Sequence, residues 1–186
     1  MSAAGLEIGR SLGRGRLVRA SVTAAPFASE SFDLVTSFDV LYSLGHDDEH
    51  AALAEMFRLT RPGGHAVINV AAMDILRGDH SVLSREVRRY SAATLGRAVT
   101  QSGFAIERLT YTNATLFLPL LALRTLHRFR GLAPEADAQR EITVPGAPVN
   151  GLLSAVLFLE SLWLRRFRSP VGSSLLCLAR KPVSRS

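Results

Sequence analysis

Forty residues, Ser31–Val70 (SFDLVTSFDVLYSLGHDDEHAALAEMFRLTRPGGHAVINV), constrain the chain more than any other stretch. Phe32-Asp33-Leu34-Val35-Thr36-Ser37 is short, apolar and β-branched with no helical period, so it reads as a buried strand. Asp47 or Asp48 is placed to cap a following helix, because a short carboxylate accepts first-turn N–H groups and suits the positive end of the helix dipole. Ala51, Leu53, Ala54, Met56, Phe57 and Leu59 give that helix its buried stripe. Arg61-Pro62-Gly63-Gly64 stops it in a tight turn, since proline cannot continue a helix and glycine accepts positive φ. His65–Val70 is the next strand. Strand, helix and strand in this order are the grammar of a parallel sheet.

Three pieces of this stretch, Phe32–Val35, Asp39–Leu41 and Leu59–Gly64, resemble the second half of a class I S-adenosylmethionine-dependent methyltransferase, with Thr60 where that family usually has leucine. The resemblance runs over roughly Gly5–Lys181. It implies a Rossmann-like, three-layer α/β fold, a mostly parallel sheet with an antiparallel last strand, and a strand order 3-2-1-4-5-7-6. The family's first strand and helix, with their Gly-x-Gly-x-Gly turn, have no counterpart in the six residues before Glu7. The central strand would then be missing beside Gly5–Ala20, so the expectation is a truncated frame, or an N-terminal half-sheet that is displaced.

With 186 residues the chain is expected to form one domain, 1–186. A single cysteine, Cys177, excludes an internal disulfide and argues against a thiolate metal site. The net charge of +6 is almost wholly arginine, with no aromatic-interleaved basic stripe, so no nucleic acid partner is expected. Met1–Ile8 is too short for a signal peptide and carries Glu7, which favours a cytoplasmic chain. His46-Asp47-Asp48-Glu49-His50 has the spacing of a metal face, but its carboxylates have helix-capping work and no third ligand is evident, so no metal is expected.

The resemblance also implies site residues. Ala3–Ile8 looks like the family's second strand, with Glu7 accepting hydrogen bonds from the cofactor ribose; an ordinary exposed acid is the alternative. Gly9–Gly15 looks like a truncated helix and Leu17–Ala20 like the third strand. Ser21 and Val22 stand where the family lays residues along the adenine. Ser37 and Phe38 would pass backbone beside the cofactor, and Leu41 would be packed near it. Further on, Met73–Ser91 resembles a subgroup's H-D-x-x-x-x-H-x-R-R-Y-S/T segment, which roofs the acceptor site. His80 and Tyr90 are the candidate catalytic groups there and Arg88 and Arg89 the candidate substrate contacts, although Ser91 capping a helix from Ala92 to Ser102, with the arginines on its rim, explains the same residues locally.

Phe104–Tyr111 alternates like a strand, and Pro170–Lys181 resembles the family's closing strand. Residues 115–130 and 149–168 are apolar helices with arginines at their C-terminal ends, each with an apolar run shorter than a membrane span needs. They either cover the sheet or rest peripherally on a membrane, and residues 131–149 between them read as an insertion. The expected activity is therefore methyl transfer from S-adenosylmethionine to a small-molecule or lipid-like acceptor. The alternatives are an inactive fragment of such an enzyme and a non-catalytic membrane-surface or partner-docking module.

Overall fold

The computed structural model describes residues 3–73, 87–115, 117 and 146–183. Its elements are α1 (Ala3–Ser11), β1 (Phe32–Phe38), α2 (His46–Leu59), β2 (Thr60–Ala71), α3 (Ala92–Gln101), β3 (Ala105–Thr112), α4 (Ala147–Leu164) and β4 (Ser174–Arg180). The strands form one sheet in the order β1-β2-β4-β3. β1 and β2 are parallel, and β4 is antiparallel to both of its neighbours. This is the 4-5-7-6 half of the implied strand order, with the antiparallel last strand between the two it separates.

Two helices cover one face. Leu53 and Met56 of α2 and Leu95 and Val99 of α3 are buried in one cluster with Ile68 and Val70 of β2 and Leu175 and Cys177 of β4. Burial pushes the Cys177 thiol up to about 11, so it acts as a small core side chain. α3 begins with a reciprocal capping box, in which the Ser91 hydroxyl accepts from Thr94 N and the Thr94 hydroxyl accepts from Ser91 N. On the opposite face α4 stands over Arg108, Thr110 and Leu176 across a groove of about 450 Å³. Helix, sheet and helix are the three layers.

The N-terminal stretch departs from expectation. Ala3–Ser11 is a helix, not a strand, and Leu17–Ala20 joins no ladder. β1 is left as an edge strand among the described residues, and neither Ala3–Ser11 nor Leu17–Ala20 pairs with it. Ala, Leu, Glu and Arg then follow their helical preference.

Three further expectations change. Gly45 is the N-cap of α2, with no side-chain cap, and Asp47 and Asp48 fall inside the first turn, where they favour the dipole without capping. Arg61–Gly64 is no separate turn. β2 starts at Thr60, and Thr60 to His65 passes the short step from Phe32 to Leu34 as a bulge, with Gly63 at φ +80°. Ala51 and Ala54 are exposed, whereas Ala52 and Glu49 are buried. In the C-terminal region, α4 starts at Ala147, inside the expected insertion. At 18 residues with a mean hydropathy of 1.4 it is, contrary to the sequence expectation, long and apolar enough to cross a membrane by length and composition. Most of the expected helix 115–130 and insertion 131–149 lie outside the described residues.

Candidate cofactor and acceptor sites

β1 ends in a backbone reversal. Asp39 has φ 57°, its N–H donates to Asn69 O at 3.0 Å, and Asn69 Nδ2 donates back to the Asp39 carboxylate at 3.1 Å. The chain therefore leaves the sheet at the carboxyl end of β1, where open α/β sheets bind ligands, and Leu41 opens a short 3₁₀ turn, Leu41–Ser43.

A cavity of about 300 Å³ lies beside this reversal. Thr36, Ser37, Phe38, Val40 and Leu41 form one wall, Ala52, Met56 and Leu59 of α2 the floor, and Val18, Ala20, Ser21, Val22 and Ala25 the outer side. The outer loop is fastened to α2. Glu55 accepts from Ala25 N at 2.8 Å and pairs with Arg58 at 2.7 Å, and Arg58 donates to Ala25 O and to the Ser29 hydroxyl. The Arg58 hydrogen bond holds the Glu55 carboxyl down at about 2, against the opposing effect of burial. Ser21 is held in its own small turn, its hydroxyl accepting from Thr23 N at 3.3 Å.

Five residues that the sequence marks as cofactor contacts, Ser21, Val22, Ser37, Phe38 and Leu41, thus come together around one cavity. Glu7 does not join them. It is exposed on α1, and no carboxylate lines the cavity. Val22, Leu41 and Met56 offer apolar contact for a flat ring, and Ser21 and the Ser37–Phe38 backbone offer the polar groups, which suits the adenine end of S-adenosylmethionine. Met56 is legible in the sequence only as helix core, and nothing there marks Val18.

A second cavity, of about 370 Å³, is lined by His46, Glu49 and His50 of α2, by Arg88, Arg89 and Tyr90, and by Arg97 of α3. Tyr90 donates to Glu49 Oε1 at 2.7 Å, and Arg88 pairs with Glu49 Oε2 and donates to Leu44 O. Burial, reinforced by the Glu49 carboxylate, drives the Tyr90 hydroxyl far above its ordinary range, so it remains protonated. Arg89 donates to Ala72 O at 3.1 Å. Tyr90 is therefore a buried donor rather than a base. His80 lies outside the described residues. Glu49, which organises this cluster, escapes a sequence reading because its neighbours Asp47 and Asp48 give the acidic run an adequate explanation as the first turn of a helix.

The two cavities are linked by hydrogen bonds. Val87 N and Arg88 N both donate to Tyr42 O, and Tyr90 Oη reaches Leu41 O at 3.4 Å, so the segment behind the second cavity is tied to the turn that closes the first.

Residues 1–68 match the model of the methyltransferase domain family. Solved structures superpose along nearly the whole chain. A candidate methyltransferase from Haloferax volcanii, in complex with the Trm112 methyltransferase activator, is similar at TM-score 0.60 and 17% identity, over 100% of this chain and 70% of that one. The chain has the Rossmann-like α/β fold of these methyltransferases. An S-adenosylmethionine-dependent methyltransferase from Thermotoga maritima, described as a possible histamine N-methyltransferase, gives TM-score 0.58 at 17% identity over 97% of this chain and 70% of that one. The Burkholderia thailandensis 1,6-didemethyltoxoflavin N1-methyltransferase, solved with its substrate and S-adenosylhomocysteine, gives 0.51 at 15% identity over 98% and 58%. No curated protein matches the chain. S-adenosylmethionine is the cofactor that goes with this methyltransferase fold and family.

Proposed function

We propose that this methyltransferase-fold chain binds S-adenosylmethionine in the cavity at the carboxyl end of β1 and directs its methyl group to a small-molecule acceptor. One observation carries the reading: Ser21 and Val22 from one segment and Ser37, Phe38 and Leu41 from another line one cavity of about 300 Å³. The cofactor supplies an electrophilic methyl on a sulfonium. What the chain must do is hold the cofactor and aim the acceptor along the line from methyl to sulfur, which is a positioning task and needs few catalytic side chains. In this reading the second cavity, with Arg89 and Arg97 on its walls, is the acceptor side. The exposed apolar face of α4, on the opposite side of the sheet from this cavity, supports a non-catalytic docking module as the second reading.

Isothermal titration with S-adenosylhomocysteine tests the proposal. The chain is expected to bind, and Val22→Asp, which puts a charge at a half-exposed wall position, is expected to weaken binding at least ~10-fold, the cost of about 1.4 kcal/mol for desolvating it against the ring. Glu7→Ala is expected to change nothing. A folded chain that does not bind would overturn cofactor use and leave the docking module.

A further inference from the structure

α4 is apolar on both sides. Leu153, Val156, Leu157, Glu160 and Leu164 recur at helical spacing, are the least exposed positions of the helix, and turn toward the sheet. Yet Leu152 and Phe158 are 65% and 61% exposed, and Leu159 and Trp163, at the rim of a cavity shared with Ala114, Thr115 and Ser169, are still 64% and 47% exposed. A helix whose outer face met only water would place polar side chains there, and a contiguous exposed apolar patch marks a surface that meets something else.

The residues just beyond α4 indicate the partner. Arg165, Arg166 and Arg168 are exposed within four residues, and Phe167 between them stacks on Trp163 with ring centroids 5.4 Å apart. We propose that this face of α4 docks on the surface of an anionic lipid bilayer, with Phe158, Leu159, Trp163 and Phe167 in the acyl boundary and the arginines among the headgroups. A second copy of the chain suits the face less well, because the one acid of α4, Glu160, is buried on the inner side and offers these arginines no carboxylate.

The helix lies on the bilayer rather than through it, because it is tied to the sheet at two points. Glu160 accepts from Ala114 N at 2.9 Å and Thr115 N at 3.0 Å, and Arg108 donates to the carbonyls of Leu164 and Phe167, closing the C-terminal end of the helix. A spanning helix would have to surrender both. This docking is independent of methyl transfer.

Co-sedimentation of the full chain with vesicles tests it. Binding is expected to vesicles of equal parts phosphatidylcholine and phosphatidylglycerol, and to be much weaker with phosphatidylcholine alone. Reversing Arg165, Arg166 and Arg168 to Glu should lower partitioning at least ~10-fold, since three charges that attract such a surface become three that it repels. Phe158→Ser with Trp163→Ser should lower it on both vesicle types. Circular dichroism of each variant establishes that it is folded. Absence of sedimentation by the folded parent chain, equal binding to neutral vesicles, or a dimer by light scattering that the Phe158 and Trp163 changes dissociate, would each overturn the proposal.

Discussion

The Tyr90 hydroxyl donates to Glu49 at 2.7 Å, and the two residues are only 3% and 4% exposed. A carboxylate this deep requires its partners, and it has two, with Arg88 on the other oxygen. Tyr90→Phe removes one and leaves Glu49 half satisfied. The expected loss in urea unfolding is about 1–3 kcal/mol, the usual penalty of an unpaired buried polar group. Because Tyr90 Oη also approaches Leu41 O, the same variant should weaken S-adenosylhomocysteine binding modestly, by a few-fold at most. Loss of stability without any effect on binding would show that the two cavities are uncoupled.

The loop over the first cavity should be sensitive to acid. Glu55 has its folded-state pKa lowered from 4.5 to about 2. Its contribution is therefore present in full above about pH 4.5 and is lost as the pH falls from there toward 2, where the folded-state carboxyl finally takes a proton. The amide-exchange protection factor at Ala25, whose N–H donates to Glu55, should fall over that window. In Glu55→Gln the protection should be low already at pH 6 and show no such step.

Legibility in the sequence depends on where an element's neighbours are. α2, α3, β3 and β4 can be read because periodicity, caps and glycines are local signals and their partners lie within the chain, whereas β1 forms where expected but as an edge strand with no buried residue rather than a buried one. That Ser21, Val22, Ser37, Phe38 and Leu41 would come together is what the family resemblance implies, and only Ser37, Phe38 and Leu41 also follow from lying at a strand's carboxyl end, a fixed place in an α/β sheet. Ala3–Ile8 reads as a strand and folds within the helix Ala3–Ser11 because a strand is defined by what it pairs with, and no described strand lies beside it. Glu49 is illegible for a related reason. Its burial depends on Arg88 and Tyr90, some forty positions away, and no local pattern distinguishes it from the first-turn acids beside it.

Glu160 should prove structural. Burial by itself would raise its pKa, but hydrogen bonds from the Thr115 hydroxyl and from the backbone N–H groups of Thr115, Ala114 and Asn113 outweigh that and keep it low and ionised. Glu160→Ala leaves these donors without their acceptor and is expected to cost about 1–3 kcal/mol by thermal or urea unfolding. The anchoring of α4 should loosen with it, giving faster amide exchange at Ala114 and Thr115.

Gly172 is the tightest point between the two ends of the sheet. A Cβ built there would lie 2.2 Å from Thr112 O and 3.0 Å from Thr112 N, so the obstacle is the backbone of β3 itself and cannot rotate away. Gly172→Ala must push apart the Thr112↔Ser174 end of the β3–β4 ladder. The expected cost is about 1–3 kcal/mol, at the level of overpacking a close-packed interior. Gly151→Ala is the control, because nothing lies within 4 Å of its Cβ position and it sits within α4, where alanine is favoured by about 1 kcal/mol. Urea midpoints that move in opposite directions for the two variants are the expected result. Equal midpoints would mean that the β3–β4 end is soft enough to absorb a methyl group.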